Sequence, residues 1–186
     1  MTLCQSSIGR IQQHSVSFRV LPLKYIDVFP FAQTREGLRF LLMKRSPDNS
    51  YPGIWQPVAG KIKHGETAWQ GGLRELTEET GFSSLNFYAL DHVSTFYLHQ
   101  SDEILQVPAF AAEVPLENPA LNHEHDVFQW LDLEGAIQTA SWQPHRRALE
   151  AIPHLLETPP ALALAQIPVP VLVNENPDKD INIRNK

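Results

Sequence analysis

The stretch that decides the fold runs from Gly60 to Phe82 and reads GKIKHGETAWQGGLRELTEETGF. Thr67 and Gln70 fit a capping box, in which the threonine hydroxyl caps the helix start and the glutamine side chain reaches back to it. Gly81 stands where a left-handed C-terminal cap is expected. Between these ends, residues to be buried recur at helical spacing on one face, namely Trp69, Leu73, Leu76 and Thr80. The pattern predicts a helix between Thr67 and Gly81.

Three glutamates share a second, narrow face of this predicted helix. At about 100° per residue, Glu78 lies roughly 60° to one side of Glu75 and Glu79 roughly 40° to the other. Like charges at this spacing repel by a few tenths of a kcal/mol, and anions near a helix C-terminus cost roughly 0.3–1 kcal/mol each. Arg74 offsets part of this cost. Taken alone, the three glutamates favour a solvated acidic surface, and a bound hard divalent cation is the alternative.

The same stretch resembles the Nudix box, the signature of hydrolases that cleave phosphoric anhydrides. It agrees at every defined position, which are Gly60, Glu66, Arg74, Glu75, Leu76, Glu78, Glu79, Gly81 and Phe82. Seven fully specified residues at roughly 6–7% usage each would match by chance at ~10⁻⁸ per start site. The resemblance implies an α/β (α+β) fold, the Nudix α/β/α sandwich with a mixed sheet and a catalytic loop–helix.

The resemblance also implies roles for individual residues. Glu78 and Glu79 correspond to the main metal ligands, Glu75 to a ligand or orienting carboxylate, and the Gly60 carbonyl to a backbone ligand. The expected cofactor is Mg²⁺, with Mn²⁺ as an alternative. The catalytic set also includes the ion pair that braces the loop against the helix, formed by Arg74 and Glu66. Water would attack one phosphorus in line while the other phosphate leaves, so catalysis consists mainly of positioning and charge neutralisation.

A further carboxylate is expected from a loop outside the box, as metal ligand or general base. We predict Glu124, six residues before Trp130, because Nudix pyrophosphohydrolases often carry an acidic residue just ahead of a Trp-bearing strand. The rival carboxylates are Glu103 and Glu113. His123 and His125 could chelate a metal, which would point to zinc, but two loop histidines are more often bystanders.

Short matches outside the box resemble bacterial dihydroneopterin triphosphate pyrophosphohydrolases, which also act on dATP. They comprise Trp55-Gln56-x-Val58-x-Gly60, Glu124-His125-x-x-x-Trp130-Leu131-Asp132, and Ser141-Trp142 with Arg146 and Ala148-Leu-Glu150. The predicted substrate is therefore a nucleotide or pterin triphosphate, and the predicted substrate contacts are Trp55, Gln56, Lys61, Tyr97 and Trp142.

A diadenosine polyphosphate hydrolase is the alternative, because Tyr97 lies sixteen residues after Gly81, near where a tyrosine marks that subfamily. A nucleotide sensor without turnover is the second class, although such proteins commonly lose box glutamates.

Around the box, the pattern predicts strands over 25–31, 38–44, 55–59, 85–98, 104–114 and 127–131, and helices over 133–139 and 142–156. A strand near 16–20 and packing of 167–173 are also suggested. Pro30 indicates a sheet edge or a strand end. We predict an N-terminal extension over 1–22, a Nudix hydrolase domain over 23–157 and a Pro-rich C-terminal tail over 158–186.

Composition limits the other classes of function. The chain has 186 residues, 42% of them hydrophobic, a formal net charge of −6 and a single cysteine. A scattered, net-acidic charge argues against binding to a nucleic-acid backbone. The start lacks a signal-peptide core and no stretch is long enough to span a bilayer, so we expect no membrane contact and a cytoplasmic location. Monomer and homodimer both remain open.

Overall fold

The computed structural model describes residues 23–169, which form a mixed β-sheet between two layers of helices. The elements in chain order are β1 (Tyr25–Thr34), β2 (Gly37–Arg45), β3 (Trp55–Gln56), β4 (Val58–Lys61), α1 (Ala68–Thr80), β5 (Asn86–Leu98), β6 (Glu103–Glu113), β7 (His125–Leu131), α2 (Leu133–Thr139), α3 (Gln143–Leu156), α4 (Pro159–Ala165) and β8 (Gln166–Ile167). The predicted strand near 16–20 lies outside the described residues. None of the helices within 23–169 is long and apolar enough to cross a bilayer.

The sheet is mixed because its central strand has neighbours of both directions. The main strand order is β3-β2-β1-β6-β5-β8, with β4 paired to β1 and β7 paired to β2. Strand β1 is parallel to β6 and antiparallel to β2 and β4. One hydrophobic cluster lies beneath α1 and a second beneath α2 and α3. The two clusters on opposite faces confirm the α/β/α sandwich with a mixed sheet.

Helix α1 forms as its sequence predicts. The Thr67–Gln70 capping box is present, and Gly81 adopts the left-handed conformation with φ 74°. Leu76 and Thr80 are buried against the sheet. A close approach at Gly72 was not predicted: a Cβ there would lie 3.0 Å from Val28, so the missing side chain lets the helix sit directly on β1.

The inference from Pro30 was wrong, because this proline lies inside the central strand. Residues 25–28 of β1 pair with β4 and residues 31–34 pair with β2. Pro30 therefore falls where the neighbour on that side of the strand changes. A residue without a backbone N–H is tolerated at this position, since neither β2 nor β4 pairs with it there.

The remaining elements follow the predicted boundaries to within a few residues. The strand over 55–59 is divided at Pro57 into β3 and β4. The register shift of β5 between Ala89 and Val93 agrees with the expectation that the strand over 85–98 is bent or broken. The segment predicted as a tail begins with α4, whose prolines occupy the first turn, where no intrahelical N–H is needed. Strand β8 then pairs with β5, with Ile167 opposite Phe87. Packed structure thus extends beyond residue 157.

Candidate active site

Arg74 organises the catalytic loop and helix through charge-assisted hydrogen bonds. Its Nε donates to Glu66 Oε1 at 2.7 Å and its Nη2 to Glu66 Oε2 at 3.0 Å. Its Nη1 donates to Glu75 Oε1 at 2.8 Å and to Glu78 Oε2 at 3.0 Å. Nη2 also donates to the Lys61 carbonyl oxygen at 2.9 Å. The bidentate pair with Glu66 is the geometry expected of a brace between loop and helix.

The Arg74–Glu66 pair makes both groups resistant to titration. Hydrogen bonds from Arg74 and from the Lys63 backbone N–H lower the pKa of Glu66 to about 2. Hydrogen bonding to Glu66 raises the pKa of Arg74. A carboxylate whose folded-state pKa is lowered stabilises the fold above its ordinary pKa, and this contribution is lost as the pH falls towards the folded value.

We therefore expect Glu66→Gln to destabilise the protein at neutral pH, and the difference from wild type to shrink as the pH falls from about 4.5 towards 2. Thermal unfolding followed between pH 7 and pH 2.5 measures this. Glu36→Gln is the matched control, because Glu36 pairs with Arg39 while its side chain is 84% exposed, and such a pair contributes little. A difference between Glu66→Gln and wild type that stays constant over this range would contradict the ion-pair argument.

Gly60 allows Glu75 to approach the β4 backbone. A Cβ at residue 60 would lie 2.2 Å from Glu75 Cδ and 2.4 Å from Oε1. Real Cβ atoms do not approach other heavy atoms so closely, so only glycine admits this carboxylate here. The predicted backbone ligand and one predicted carboxylate are thereby brought together.

Glu79 is the buried carboxylate of the helix. It is 1% exposed, and neither of its oxygens has a hydrogen-bond partner within the described chain. Burial, followed by the charges of Glu124 and Glu75, raises its pKa well above the ordinary value. His125 Nδ1 lies 3.8 Å from Glu79 Oε2, too far for a hydrogen bond. Burial and the charge of Arg45 lower the pKa of His125 to about 4, so this imidazole is neutral and does not compensate Glu79.

Glu78, in contrast, is turned outward. Its side chain is 48% exposed and accepts a hydrogen bond from Lys63 Nζ at 3.2 Å in addition to the one from Arg74. Desolvation raises the pKa of Glu78, but these hydrogen bonds and charges outweigh it and leave the pKa below the ordinary value. The structure therefore separates the two predicted main ligands: Glu79 faces inward and Glu78 faces its cationic neighbours.

The oxygen donors at the inner face of the helix are of the type that a hard divalent cation prefers. Within residues 23–169 the two buried oxygens of Glu79 have no hydrogen-bond partner. Burial raises the pKa of Glu79, and the charges of Glu124 and Glu75 add to this effect. Carboxylate and carbonyl oxygens are the ligands that Mg²⁺ prefers. In residues 23–169 no three His, Cys, Asp or Glu side chains are gathered as closely as a metal site requires. Glu75 and Glu78 accept hydrogen bonds from Arg74 instead, so a cation would compete with Arg74 for them.

A cavity of about 920 Å³ is lined by Glu75, whereas Glu78 and Glu79 do not line it. Gly60 and Glu75 line one part of it together with Glu124 and Arg45, and Arg45 Nη1 lies 3.6 Å from Glu124 Oε2. Four predicted substrate contacts line the same cavity: Gln56, Lys61, Tyr97 and Trp142. Trp55 does not line it, because its ring packs against the hydrophobic cluster beneath α2 and α3.

The alternatives to Glu124 lie elsewhere. Glu103 pairs with Lys24, and Glu113 accepts hydrogen bonds from Asn86 and Gln33. Neither side chain lines the cavity. His123 is exposed, whereas His125 is buried beside Glu79. Of the carboxylates considered outside the box, only Glu124 is therefore placed with the helix glutamates.

Comparison with protein families agrees with this geometry. The model of the NUDIX domain matches residues 24–152, which is more than half of the chain. The chain belongs to the Nudix family. Nudix hydrolases generally use divalent metal ions, and the Nudix relatives support assignment of the chain as a pyrophosphohydrolase.

Curated relatives share about a third of the aligned residues. A dihydroneopterin triphosphate diphosphatase of Escherichia coli (strain K12) is 29% identical over 139 residues, covering 67% of this chain and 89% of the relative. A bis(5'-nucleosyl)-tetraphosphatase of Caenorhabditis elegans is 32% identical over 110 residues, covering 56% and 75%. An octanoyltransferase of Myxococcus xanthus is 32% identical over 132 residues, covering 69% of this chain but 36% of that protein. The Nudix chain thus spans about a third of the last relative.

Solved structures show the same fold. A binary complex of the C. elegans Ap4A hydrolase superposes with a TM-score of 0.61 at 24% identity, covering 73% of this chain and 98% of that one. The E. coli dihydroneopterin triphosphate pyrophosphohydrolase gives 0.58 at 24% identity, covering 70% and 98%. At this identity the likeness establishes the Nudix fold.

Sequence reasoning missed several residues that line the cavity, among them Asp27, Arg45, Tyr51 and His145. For Asp27 a signal was present, because a carboxylate interrupts the otherwise apolar run Tyr25–Phe31. An acid placed within a buried strand is costly unless it is paired. No local pattern pointed to His145, which reaches the cavity from α3 only through the tertiary fold.

Proposed function

We propose that this Nudix protein is a Mg²⁺-dependent pyrophosphohydrolase of a nucleoside triphosphate-like substrate, with dihydroneopterin triphosphate or a deoxynucleoside triphosphate as the preferred choice. The observation that carries the proposal is a cavity of about 920 Å³ that is lined by Gly60, Glu75 and Glu124, with the buried Glu79 one turn along the helix from Glu75. The size of the cavity falls within the range of small-molecule sites, roughly 300–1,000 Å³. Mn²⁺ is the alternative cation.

The chain's own residues would position and activate the reactants. Gly60, Glu75, Glu78, Glu79 and Glu124 would hold the cation, which when bound would neutralise the phosphate oxygens. Lys61, at the cavity wall, would contact the phosphates. Glu124 would take a proton from the attacking water. The water oxygen bonds to one phosphorus as the bridging P–O bond breaks, which yields a monophosphate and pyrophosphate.

A diadenosine polyphosphate hydrolase is the second candidate. The relative from C. elegans is named for that activity. Tyr97, the residue predicted to mark that subfamily, lines the cavity. Its hydroxyl donates a hydrogen bond to Asp102 Oδ1 at 2.8 Å. Both candidates use the same carboxylates and differ in the leaving group. Product analysis therefore separates them.

We expect dihydroneopterin triphosphate or dATP to release pyrophosphate with Mg²⁺, and removal of the metal by a chelator to lower the rate by about 10²–10³-fold, since a Lewis acid supplies several kcal/mol. Chromatography of the products with each substrate, and with diadenosine tetraphosphate, measures this. Cleavage of the dinucleotide alone would favour the second candidate. Binding of nucleotides without product formation would instead identify a sensor.

The remaining proposals follow from composition. A formal net charge of −6 with scattered cations suits a small-molecule partner and opposes nucleic-acid binding. The single cysteine suits a reducing compartment, which supports a cytoplasmic location. Monomer and homodimer are both compatible with a cavity lined by one chain.

A further inference from the structure

A carboxylate outside the Nudix helix also lines the cavity. Asp27 is only 7% exposed, yet it lines the cavity from β1. Its neighbour Ile26 pairs with Gly60, so Asp27 lies one residue along the sheet from the catalytic loop. A buried carboxylate is costly unless it is paired and hydrogen-bonded, and nothing in the hydrolytic reaction proposed above requires this one.

The protein provides Asp27 with one partner in the described structure. His145 Nε2, from α3, lies 3.3 Å from Asp27 Oδ2. The imidazole is itself buried and packs edge-on against Phe29, with ring centroids 5.9 Å apart. One carboxylate oxygen thus lies beside a buried imidazole, and the carboxylate borders the cavity where a ligand can reach it.

Aromatic side chains line the same cavity as Asp27. Tyr25, Tyr51, Phe96 and Trp142 all line it. Tyr51 and Trp142 meet edge to face with centroids 5.9 Å apart, and Trp142 is 43% exposed. A cavity with exposed aromatic side chains and a carboxylate is suited to a flat ring. The ring can stack on the aromatic faces and form hydrogen bonds through its edge.

We propose that Asp27 selects substrates whose ring carries two adjacent N–H donors, the 2-amino-oxo edge that guanine and pterin share. His145 is a positioning residue that holds the carboxylate towards this edge. The inference rests on the proposed function, since it names the ring attached to the triphosphate that the Nudix helix would cleave. The ring would lie against Asp27, and the triphosphate would extend towards Glu75 and Gly60.

The preference follows from donors and acceptors. A guanine or pterin ring offers a ring N–H and an exocyclic amino group side by side, which a carboxylate can accept as a bidentate pair. Adenine and cytosine place an acceptor nitrogen beside the amino group, and uracil flanks its N–H with carbonyl oxygens. Each of these would set a lone pair against a buried carboxylate, so among the substrates of the proposed function the inference favours dihydroneopterin triphosphate and dGTP over dATP.

The direct test uses the wild-type protein with GTP and ITP, which differ only by the 2-amino group. We expect kcat/KM to be about 10- to 100-fold higher for GTP, the range for one hydrogen bond to a charged acceptor. Dihydroneopterin triphosphate, assayed alongside, shows which of the two ring sources is preferred. Equal values for GTP and ITP would overturn the inference whatever the variants do.

Variants then assign the preference to its residues. Asp27→Asn should bring the GTP/ITP ratio close to one, whereas Asp91→Asn, an exposed aspartate on β5, should leave the ratio unchanged. His145→Ala should reduce the ratio, and His145→Gln, which restores an N–H donor, should recover part of it. Recovery would not be expected if His145 only filled space. A ratio that survives Asp27→Asn would also overturn the inference.

Failure of the proposed function is distinguishable from failure of this inference. Calorimetric titration with GMP and IMP, without metal, measures ring recognition independently of hydrolysis. Tighter binding of GMP by a protein that hydrolyses none of the triphosphates would leave the ring site standing and remove the enzyme proposal. Hydrolysis of triphosphates by a protein that binds GMP and IMP with equal affinity would support the enzyme proposal and overturn the inference about the ring.

Discussion

Glu79→Gln is expected to lower kcat/KM for triphosphate hydrolysis with Mg²⁺ by about 10³-fold, about 4 kcal/mol of transition-state stabilisation. Glu79 is the proposed ligand whose two buried oxygens have no hydrogen-bond partner among the residues that the structure describes. Its amide counterpart keeps the shape but cannot supply negative charge to a divalent ion. Steady-state rates at saturating Mg²⁺ measure this loss, and Glu150→Gln, an exposed site on α3, is the control.

Glu79→Gln should also change the stability of the protein, in the opposite direction to its effect on activity. Because the folded-state pKa of Glu79 lies above its ordinary value of 4.5, the carboxylate opposes folding at neutral pH, and this penalty disappears below pH 4.5. Without metal, Glu79→Gln should therefore be at least as stable as wild type at pH 7. Added Mg²⁺ should stabilise wild type more than the variant. A variant that is both active and indifferent to Mg²⁺ would remove the mechanism proposed here.

The parts that sequence could predict are those determined by near neighbours in the chain. The capping box and Gly81 set both ends of α1, because each depends on residues within one turn. The Arg74–Glu66 brace follows the same logic, since the two residues are separated by one short loop and two helical turns. Helical spacing likewise placed Glu75 and Glu78 on a common side, where both accept hydrogen bonds from Arg74.

The parts that sequence could not predict depend on distant segments. Helical angles alone treat Glu78 and Glu79 as equivalent. In the structure, Glu78 faces Lys63 and solvent, whereas Glu79 is buried beside His125. Strand β8 forms only because β5 offers a free edge, and Pro30 is tolerated only because β2 and β4 meet there. The Asp27–His145 pair joins residues 118 positions apart, which no local pattern encodes.

Gly60→Ala is expected to reduce kcat/KM by about 10²-fold, about 2.7 kcal/mol, while changing the free energy of unfolding much less. The added Cβ would occupy the space of the Glu75 carboxyl group, 2.2 Å from its Cδ. Because the obstructed atoms end a flexible side chain, Glu75 can rotate away at small cost to folding. It would then lose its hydrogen bond from Arg74 and its place at the cavity wall.

A double-mutant cycle with Glu75→Ala tests whether this steric displacement is the cause. In the Glu75→Ala background no carboxyl group remains to be displaced, so adding Gly60→Ala should cost less than about 3-fold further in kcat/KM. The coupling energy between the two sites should then approach the full single-mutant effect, within the range seen for residues in direct contact. Additive losses would mean that Gly60 acts independently of Glu75, for instance through its own carbonyl oxygen. The proposal that the Glu75 carboxylate needs glycine at residue 60 would then be wrong. The Nudix fold and the role of the buried Glu79 would be unaffected.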